Sequence, residues 1–313
     1  MERILVTGGA GFIGSHFVDY VIENYDDEVV VLDKLTYAGD ISNLKQSRDE
    51  IEFIEGDIGC VDDLEKAFSG GIDRVVNFAA ETHVDNSIEG PLVFAETNLL
   101  GTLRLLMFSL DRGVERFLQV STDEVYGSTT EGKFSESDQH LPSSAYAATK
   151  SGAEKLVWSY YVTHGLPILI TRSSNNYGPR QHAEKFIPTI IRNALNESAI
   201  PVYGDGQNQR DWLYVRDNCE AIDLILREGE PGQAYNVGAD VTLPNIELAR
   251  TVVDMLGASR DLIEFVEDRK GHDFRYAIDS TRVHQLGWEP STDFETGLRE
   301  TIEWYQHMIG ARS

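Results

Sequence analysis

The most restrictive feature of this chain is a glycine-punctuated turn between two short apolar segments near its start. Thr7-Gly8-Gly9-Ala10-Gly11-Phe12-Ile13-Gly14 follows a strand-like run, Arg3–Thr7, and opens a stretch with Ile13, Phe17, Val18, Val21 and Ile22 at helical spacing. A strand, a tight turn and a helix in that order begin a βαβ unit, whose next strand lies parallel to the first. That strand is legible at Glu28–Asp33, where Val29, Val30, Val31 and Leu32 form the unbroken apolar run of a strand buried on both faces. Gly8 permits the tight turn, Gly11 lets backbone approach a pyrophosphate, and Gly14 lets helix pack on strand. The start of the helix supplies free N–H groups and a positive dipole end to phosphates. Asp33 closes the second strand, 19 residues after Gly14. A carboxylate there accepts hydrogen bonds from ribose hydroxyls and repels a 2′-phosphate. The expected ligand is therefore a dinucleotide, NAD rather than NADP, with Lys34 beside the acid working slightly against that preference. Asp57, after the third strand, is placed either to reach the adenine or to face solvent as a turn acid.

The alternation continues. Strands are expected at 51–56, 74–78, 116–121 and 166–172, and helices at 61–68, 97–112 and 144–164, the last stopped by Gly165 and Pro167. This order predicts an α/β, Rossmann-type doubly wound parallel sheet covered on both faces, here assigned to residues 1–174. From about Asn175 turn clusters multiply and the pattern loosens. Residues 175–313 are expected to form mainly a smaller, interleaved substrate lobe, with a strand near 235–238 returning to the first sheet.

Two groups of residues carry chemistry. Tyr146 and Lys150 stand four apart, on one face of the 144–164 helix, where a nearby cation favours the phenolate. A phenolate can take a proton from a sugar hydroxyl while hydride leaves for a nicotinamide. Twenty-four residues before Tyr146, Thr122 ends the fifth strand within Ser121-Thr122-Asp123-Glu124-Val125-Tyr126-Gly127. Strand ends of this kind border the ligand crevice in open α/β sheets. Adjacent acids such as Asp123 and Glu124 can divide acid and base roles when their environments push the pKa values apart. That is the equipment for eliminating water beside a ketone; the bland alternative is a loop acid pair facing solvent.

Glycine loop, strand-end hydroxyl and Tyr-x-x-x-Lys together resemble the extended short-chain dehydrogenases/reductases. Asp33–Gly39 as DKLTYAG, 79–85 as AAETHVD, 173–179 as SSNNYGP, 184–188 as EKFIP, 210–215 as RDWLYV and 276–279 as YAID resemble the dTDP-glucose 4,6-dehydratase family across nearly the whole chain. The resemblance implies that NAD contacts Phe12, Ile13, Lys34, Thr36, Asp57, Ile58, Ala79, Ala80 and Asn98 besides the glycines, Asp33, Tyr146 and Lys150. It implies that Tyr146 is the base at the C4 hydroxyl, with Thr122 on the C4 oxygen and Lys150 tuning the phenol. Glu124 would then take the C5 proton, and Asp123 would protonate the departing C6 hydroxyl. Substrate contacts are implied at His83, Thr122, Asn176, Lys185, Phe186, Tyr203, Arg210, Asn245, Arg269 and His272. Asn86 and Lys270 depart from the family's usual Arg and Pro. The helices at 97–112 and 144–164 resemble those that pair in the four-helix dimer interface of this superfamily, which implies a homodimer.

Charge bounds the partners. There are 27 Lys and Arg against 52 Asp and Glu, a net charge of −25. Such a surface disfavours nucleic acid and anionic lipid. With 41% hydrophobic residues the chain can still bury a core. The acids are dispersed, which suits a salt-rich cytoplasm like that of a halophile, because screening removes their mutual repulsion. Apolar runs fall short of the about 18 residues that span a bilayer, no signal peptide is legible, and Cys60 and Cys219 form no metal-like or CxxC spacing. A cytoplasmic enzyme without a metal is expected. The competing readings are a UDP-sugar 4-epimerase, a UDP-glucuronate decarboxylase and a non-catalytic NAD-binding regulator; the Asp123–Glu124 pair weighs against the two enzymes, and the intact reactive residues against the regulator.

Overall fold

The computed structural model describes residues 1–268 and 271–310. Six strands come first: β1 (Arg3–Thr7), β2 (Glu28–Asp33), β3 (Ile51–Glu55), β4 (Arg74–Asn77), β5 (Arg116–Thr122) and β6 (Ile168–Ser173). The chain then forms β7 (Asn175–Tyr177), β8 (Ile200–Tyr203) and β9 (Gln209–Tyr214) elsewhere, and returns as β10 (Gln233–Val237). The resulting seven-stranded sheet has the order β10-β6-β5-β4-β1-β2-β3 and every pairing in it is parallel. Strand order reverses between β1 and β4, the place where ligands bind in such sheets.

Successive side chains of a strand point to opposite faces, so each buried strand feeds two cores. Ile4 and Val6 join Val31, Leu118, Phe17 and Ile222 on one face. Leu5 joins Val30, Leu32, Leu105 and Ile168 on the other. Helices α1 (Phe12–Asn24) and, later, α8 (Val215–Glu228) cover the first face and pack on each other. The second face carries α2 (Val61–Ala67), α5 (Thr102–Asp111) and α6 (Ala145–His164), with α3 (Val84–Glu89) and α4 (Pro91–Phe94) leading into α5. Truncating a fully buried leucine such as Leu105 to alanine should cost about 2–5 kcal/mol.

A third core belongs to the lobe. It joins α7 (Phe186–Leu195), α9 (Asn245–Met255) and α11 (Phe294–Gly310) with β7, β8 and β9, through Ile190, Trp212, Leu248, Val252 and Leu298. β9 pairs with β7 and with β11 (Thr242–Pro244), and β8 pairs with β12 (Ile263–Val266). The lobe is therefore smaller than 175–313. Helix α8, strand β10 and Val283 of α10 (Thr281–Gln285) are built into the first core, because their apolar residues face the sheet rather than the lobe.

The helix expected at 97–112 also differs. It begins at Pro91, whose fixed φ suits a first helical position, and it is π-helical over Ala95–Gly101 before continuing as α5. The whole of Pro91–Asp111 is by length and composition apolar enough to cross a membrane. Phe94, Leu105 and Leu106 on it are fully buried within this protein, while Leu92, Val93, Leu100 and Met107 are exposed.

Candidate active site

The floor of the main cleft is the turn between β1 and α1. Gly8 has φ +70, and a Cβ on it would lie 2.7 Å from the Ala79 backbone nitrogen. A Cβ on Gly14 would lie 2.3 Å from the Gly8 carbonyl oxygen. Any side chain at either position would fill the cradle. Gly11 caps α1 without a side-chain hydrogen bond, so the first N–H groups of the helix remain available to an anion. Phe12 and Ile13 line the cleft beside them. These features fit a dinucleotide pyrophosphate.

Asp33 borders the cleft at the end of β2, nearly buried. Its Oδ2 accepts from Ala10 N at 2.9 Å and its Oδ1 from Leu35 N at 2.8 Å. Burial pushes its carboxyl above the ordinary value, against those two bonds. Lys34 is committed elsewhere: its Nζ pairs with Asp57 Oδ2 at 2.7 Å. The carboxylate is thus the charge presented at the strand end, and Lys34 is not poised for a 2′-phosphate. Thr36, Asp57, Ile58, Ala79 and Ala80 complete this half of the wall.

Asn98 stands one layer back. It is buried and does not line the cleft; its Oδ1 accepts from Glu81 N at 2.9 Å, and its Nδ2 donates to Glu81 O and to Thr149 Oγ1 at 3.0 Å. These bonds make Asn98 a brace between the loop after β4 and α6.

The reactive groups meet where β5 ends. Strand β5 delivers Thr122 to the cleft, and a single 3-10 turn, Asp123–Tyr126, follows at once. Glu124 N donates to Thr122 Oγ1 at 3.3 Å, which fixes the two acids relative to the hydroxyl. Helix α6 starts at a Ser144 cap and brings Tyr146 and Lys150 to the same wall. Tyr146 hydrogen-bonds Thr122, which favours the phenolate; burial first, and then the Glu124 charge, push the phenol well above its ordinary pKa. The expectation that Lys150 tunes Tyr146 takes a different form. The Lys150 ammonium donates to Val120 O at 2.7 Å, the carbonyl nearest to it in a buried wall. Burial brings Lys150 down to about 8.

Asp123 is almost wholly buried, and its Oδ2 has no hydrogen-bond partner. Burial, then Glu124 and Asp211, push its carboxyl well above the ordinary range, with Arg210 opposing. Its Oδ1 accepts from Thr122 Oγ1 at 3.3 Å, so one oxygen is served and the other is not, an environment that favours the protonated acid. Glu124 borders both the main cleft and an adjoining cavity lined by Val84, Ser143, Ser144, Asp273 and Tyr276. A buried acid whose carboxyl is pushed upward therefore stands beside a second acid that borders both cavities.

The residues expected to bind substrate are spread more widely. Asn176 and Lys185 line the main cleft; Lys185 Nζ donates to Thr82 O at 3.1 Å, and Asn176 Oδ1 accepts from Asn218 Nδ2 at 2.8 Å. His83 caps α3 and lies 3.7 Å from Glu184 Oε2. Phe186 begins α7 and packs on the lobe core. Tyr203, at the end of β8, sets its ring edge against His272, whose Nδ1 lies 2.7 Å from Asp268 Oδ1. Asn245 begins α9. Arg210 is buried: it donates to the carbonyls of Gln209, Asp273 and Phe274 and lies over the Tyr276 ring at 4.2 Å. It is not paired with Asp211, which instead accepts from Ala239 N and Val241 N. Arg269 lies outside the described residues, as does Lys270.

Sequence reasoning passed over Glu81, Thr82, His182 and Glu184, all of which line the cleft. Glu81, Thr82 and Glu184 sit inside segments already singled out, next to residues that were chosen. Burial raises the Glu81 carboxyl, and Tyr37, beside Glu81 and Glu184, is pushed up to about 12.

Fold and site define a Rossmann-type protein of the extended short-chain dehydrogenase/reductase class. The chain belongs, more closely, to the nucleotide-sugar 4,6-dehydratase family: residues 5–301 match the family model for GDP-mannose 4,6 dehydratase. It is 54% identical over 307 residues to the low-salt glycan biosynthesis protein Agl12 of Haloferax volcanii, covering 96% of this chain and 98% of that one. It is 45% identical over 312 residues to a dTDP-glucose 4,6-dehydratase of Streptomyces niveus, covering 97% and 93%. The structure superposes with a TM-score of 0.96 on a dTDP-glucose 4,6-dehydratase from Streptomyces venezuelae solved with NAD and dTDP, at 45% identity over 99% of this chain and 98% of that one. A UDP-glucose 4-epimerase from Thermus thermophilus, solved with NAD, is also similar, with a TM-score of 0.91, 32% identity and coverage of 97% and 99%.

Proposed function

We propose that this protein is an NAD-dependent dTDP-glucose 4,6-dehydratase, a hydro-lyase that forms dTDP-4-keto-6-deoxyglucose. The observation that carries the reading is Asp123: a buried acid, its carboxyl pushed upward by burial, beside Glu124, Thr122 and Tyr146 in the cleft floored by the glycine turn. A 4-epimerization needs a base at C4 and no acid for a leaving hydroxyl, so this group favours elimination over the epimerase alternative.

The glycine floor, the α1 start and Asp33 hold the dinucleotide, and Lys150 and Tyr146 lie along its path. NAD held there would supply the hydride chemistry, oxidation at C4 and reduction at C6. Tyr146 takes the C4 hydroxyl proton while Thr122 holds the C4 oxygen. The positive charge of Lys150 and of a bound oxidised nicotinamide would have to offset the burial that raises the phenol. The proton Tyr146 gains makes good, through solvent, the one Asp123 later gives up. Glu124 takes the C5 proton, made acidic by the adjacent ketone. Asp123 gives its proton to the C6 oxygen, which departs as water, and the proton held by Glu124 returns to C5. Each transfer depends on placement as well as acidity. Lys185, Asn176 and Arg210, with Tyr203, Asn245 and His272 in the lobe, are the proposed contacts to the nucleotide sugar. Asn98 acts by holding the Glu81 loop.

The protein is proposed to act in the cytoplasm as a homodimer. The exposed strip of Leu92, Val93, Leu100 and Met107, beside Trp158 and Val162 of α6, offers a second copy an apolar helix pair. The Haloferax relative's name supports a supply of sugar for glycan assembly. Incubation with dTDP-, UDP- and GDP-hexoses at high salt tests the activity: the dTDP-glucose product should lose the mass of one water. Absence of water loss from every donor would overturn the reading.

A further inference from the structure

Behind the reactive wall lies a buried charge network that the proposed reaction does not itself use. Glu154 is 1% exposed, one helical turn after Lys150 on the same face of α6. Its Oε1 accepts from Ser121 Oγ at 2.5 Å, and its two oxygens receive the Arg172 fork, with Nη2 at 2.7 Å. Arg172, on β6, also donates to Tyr126 Oη at 2.6 Å and to Glu136 O at 3.0 Å. A buried ion pair of this kind is weak support for stability, because desolvating both charges consumes much of their attraction. Its position suggests a different use. Lys150 Nζ bonds Val120 O, and Glu154 bonds Ser121 Oγ, so α6 is tied twice to the two residues that precede Thr122, Asp123 and Glu124.

We infer that Glu154 is a positioning residue: through Ser121 and Arg172 it ties the reactive turn to α6, and it sets a negative charge one helical turn from Lys150 on the same face. The inference rests on the proposed NAD-dependent reaction. A bound nicotinamide would add positive charge beside Lys150, and Glu154 is the counterweight. The charged and titratable groups around Glu154 come from every neighbouring element. Arg172 faces it from β6, and Tyr126 bonds to Arg172 from the turn after β5. His140, from the preceding loop, lies 3.8 Å away and is brought to about 4 by burial, hence neutral. Glu136 reaches Arg172 through its carbonyl. Among these groups, Glu154 is the charge that raises Lys150 against burial. Asp123 must also hold a proton, but it faces Glu124, Asp211 and Arg210 rather than Glu154.

The experiment compares Glu154→Gln with Glu154→Asp in the NAD-loaded protein. Two quantities are followed across pH: kcat for dTDP-glucose, and the reactivity of the Lys150 amine toward acetic anhydride, read by mass spectrometry. Glu154→Gln should move the alkaline limb of kcat and the labelling midpoint down by about one pH unit. Glu154→Asp keeps the charge and should leave both midpoints in place while lowering kcat through a shorter tether. Should Glu154→Gln fail to fold, Arg172→Gln, which leaves the Glu154 charge unopposed, should instead move both midpoints up, and no movement there would equally overturn the inference. Unchanged midpoints in a folded variant lacking the Glu154 charge would overturn the inference and leave a simple brace. The labelling readout needs no turnover, so it separates this failure from failure of the proposed activity.

Discussion

The two halves of the cleft are built on opposite terms. On the sheet side the ligand-facing backbone is kept bare: glycines at 8, 11 and 14, a helix start without a side-chain cap, and a strand-end Asp33. On the lobe side the expected contacts are already engaged with the protein. Arg210 bonds three carbonyls, His272 meets Asp268, and Asn176 bonds Asn218. The difference suits a dinucleotide that stays through many cycles on one side, and a substrate that arrives and leaves on the other. A resident ligand is served by permanently exposed donors. A transient one is served by groups that lose little when it departs, since an unsatisfied buried polar group costs about 1–3 kcal/mol.

The sharpest way to break this contrast is at the sheet side. Tyr146→Phe should retain the fold and lower kcat by about 10³-fold, within the range of a lost general base; a loss below tenfold would remove Tyr146 from the chemistry. Next, Glu124→Gln should still reduce bound NAD, seen as NADH absorbance on adding substrate, yet release no product at an appreciable rate. If NADH fails to form while substrate still binds, Glu124 serves the first step instead. The pH profile follows from two proton holders, Asp123 and Lys150. Lys150 lies at about 8, and both groups must keep their protons, so kcat should fall as pH rises past that value; a flat profile to pH 10 would contradict the assignment. On the lobe side, Arg210→Gln should raise KM about tenfold, more than it lowers kcat, and should lower stability by about 1–3 kcal/mol through the deprived carbonyls. An unchanged melting temperature would show that Arg210 is not framework. The smallest effect concerns the −25 charge: melting temperature should climb by several degrees from dilute buffer to molar salt, since screening relieves self-repulsion.

The halves also differ in how legible they were. Periodicity and glycine spacing expose β1, α1, β2 and Asp33, because local sterics dictate them within about thirty residues. The return of β10 was visible as an apolar run, but the attachment of α8 to α1 was not. Nothing local assigns α8 to a core; only tertiary packing decides which one receives it. Family resemblance implies Asn98 at the cofactor, and it carries no sign of the π-helical turn on which Asn98 reaches Glu81 and Thr149. Spacing and resemblance both set Lys150 against Tyr146, and neither reveals the bond from its ammonium to Val120 O. Arg210 looked like a free cation in an acidic chain, whereas its partners are carbonyls, to which composition is blind.

The π-helical segment Ala95–Gly101 has a consequence of another kind. Such a turn takes one residue more than the α-helical path between the same two ends. A chain one residue shorter there should therefore still enter at Pro91 and leave at Asp111 along the same axis, with its outer strip intact. What it should lose is the seat of Asn98. Deleting Leu99 would accordingly leave the circular dichroism of the protein nearly unchanged and loosen its hold on NAD. The helix stores, in a single surplus residue, a choice between being a wall and being a clamp.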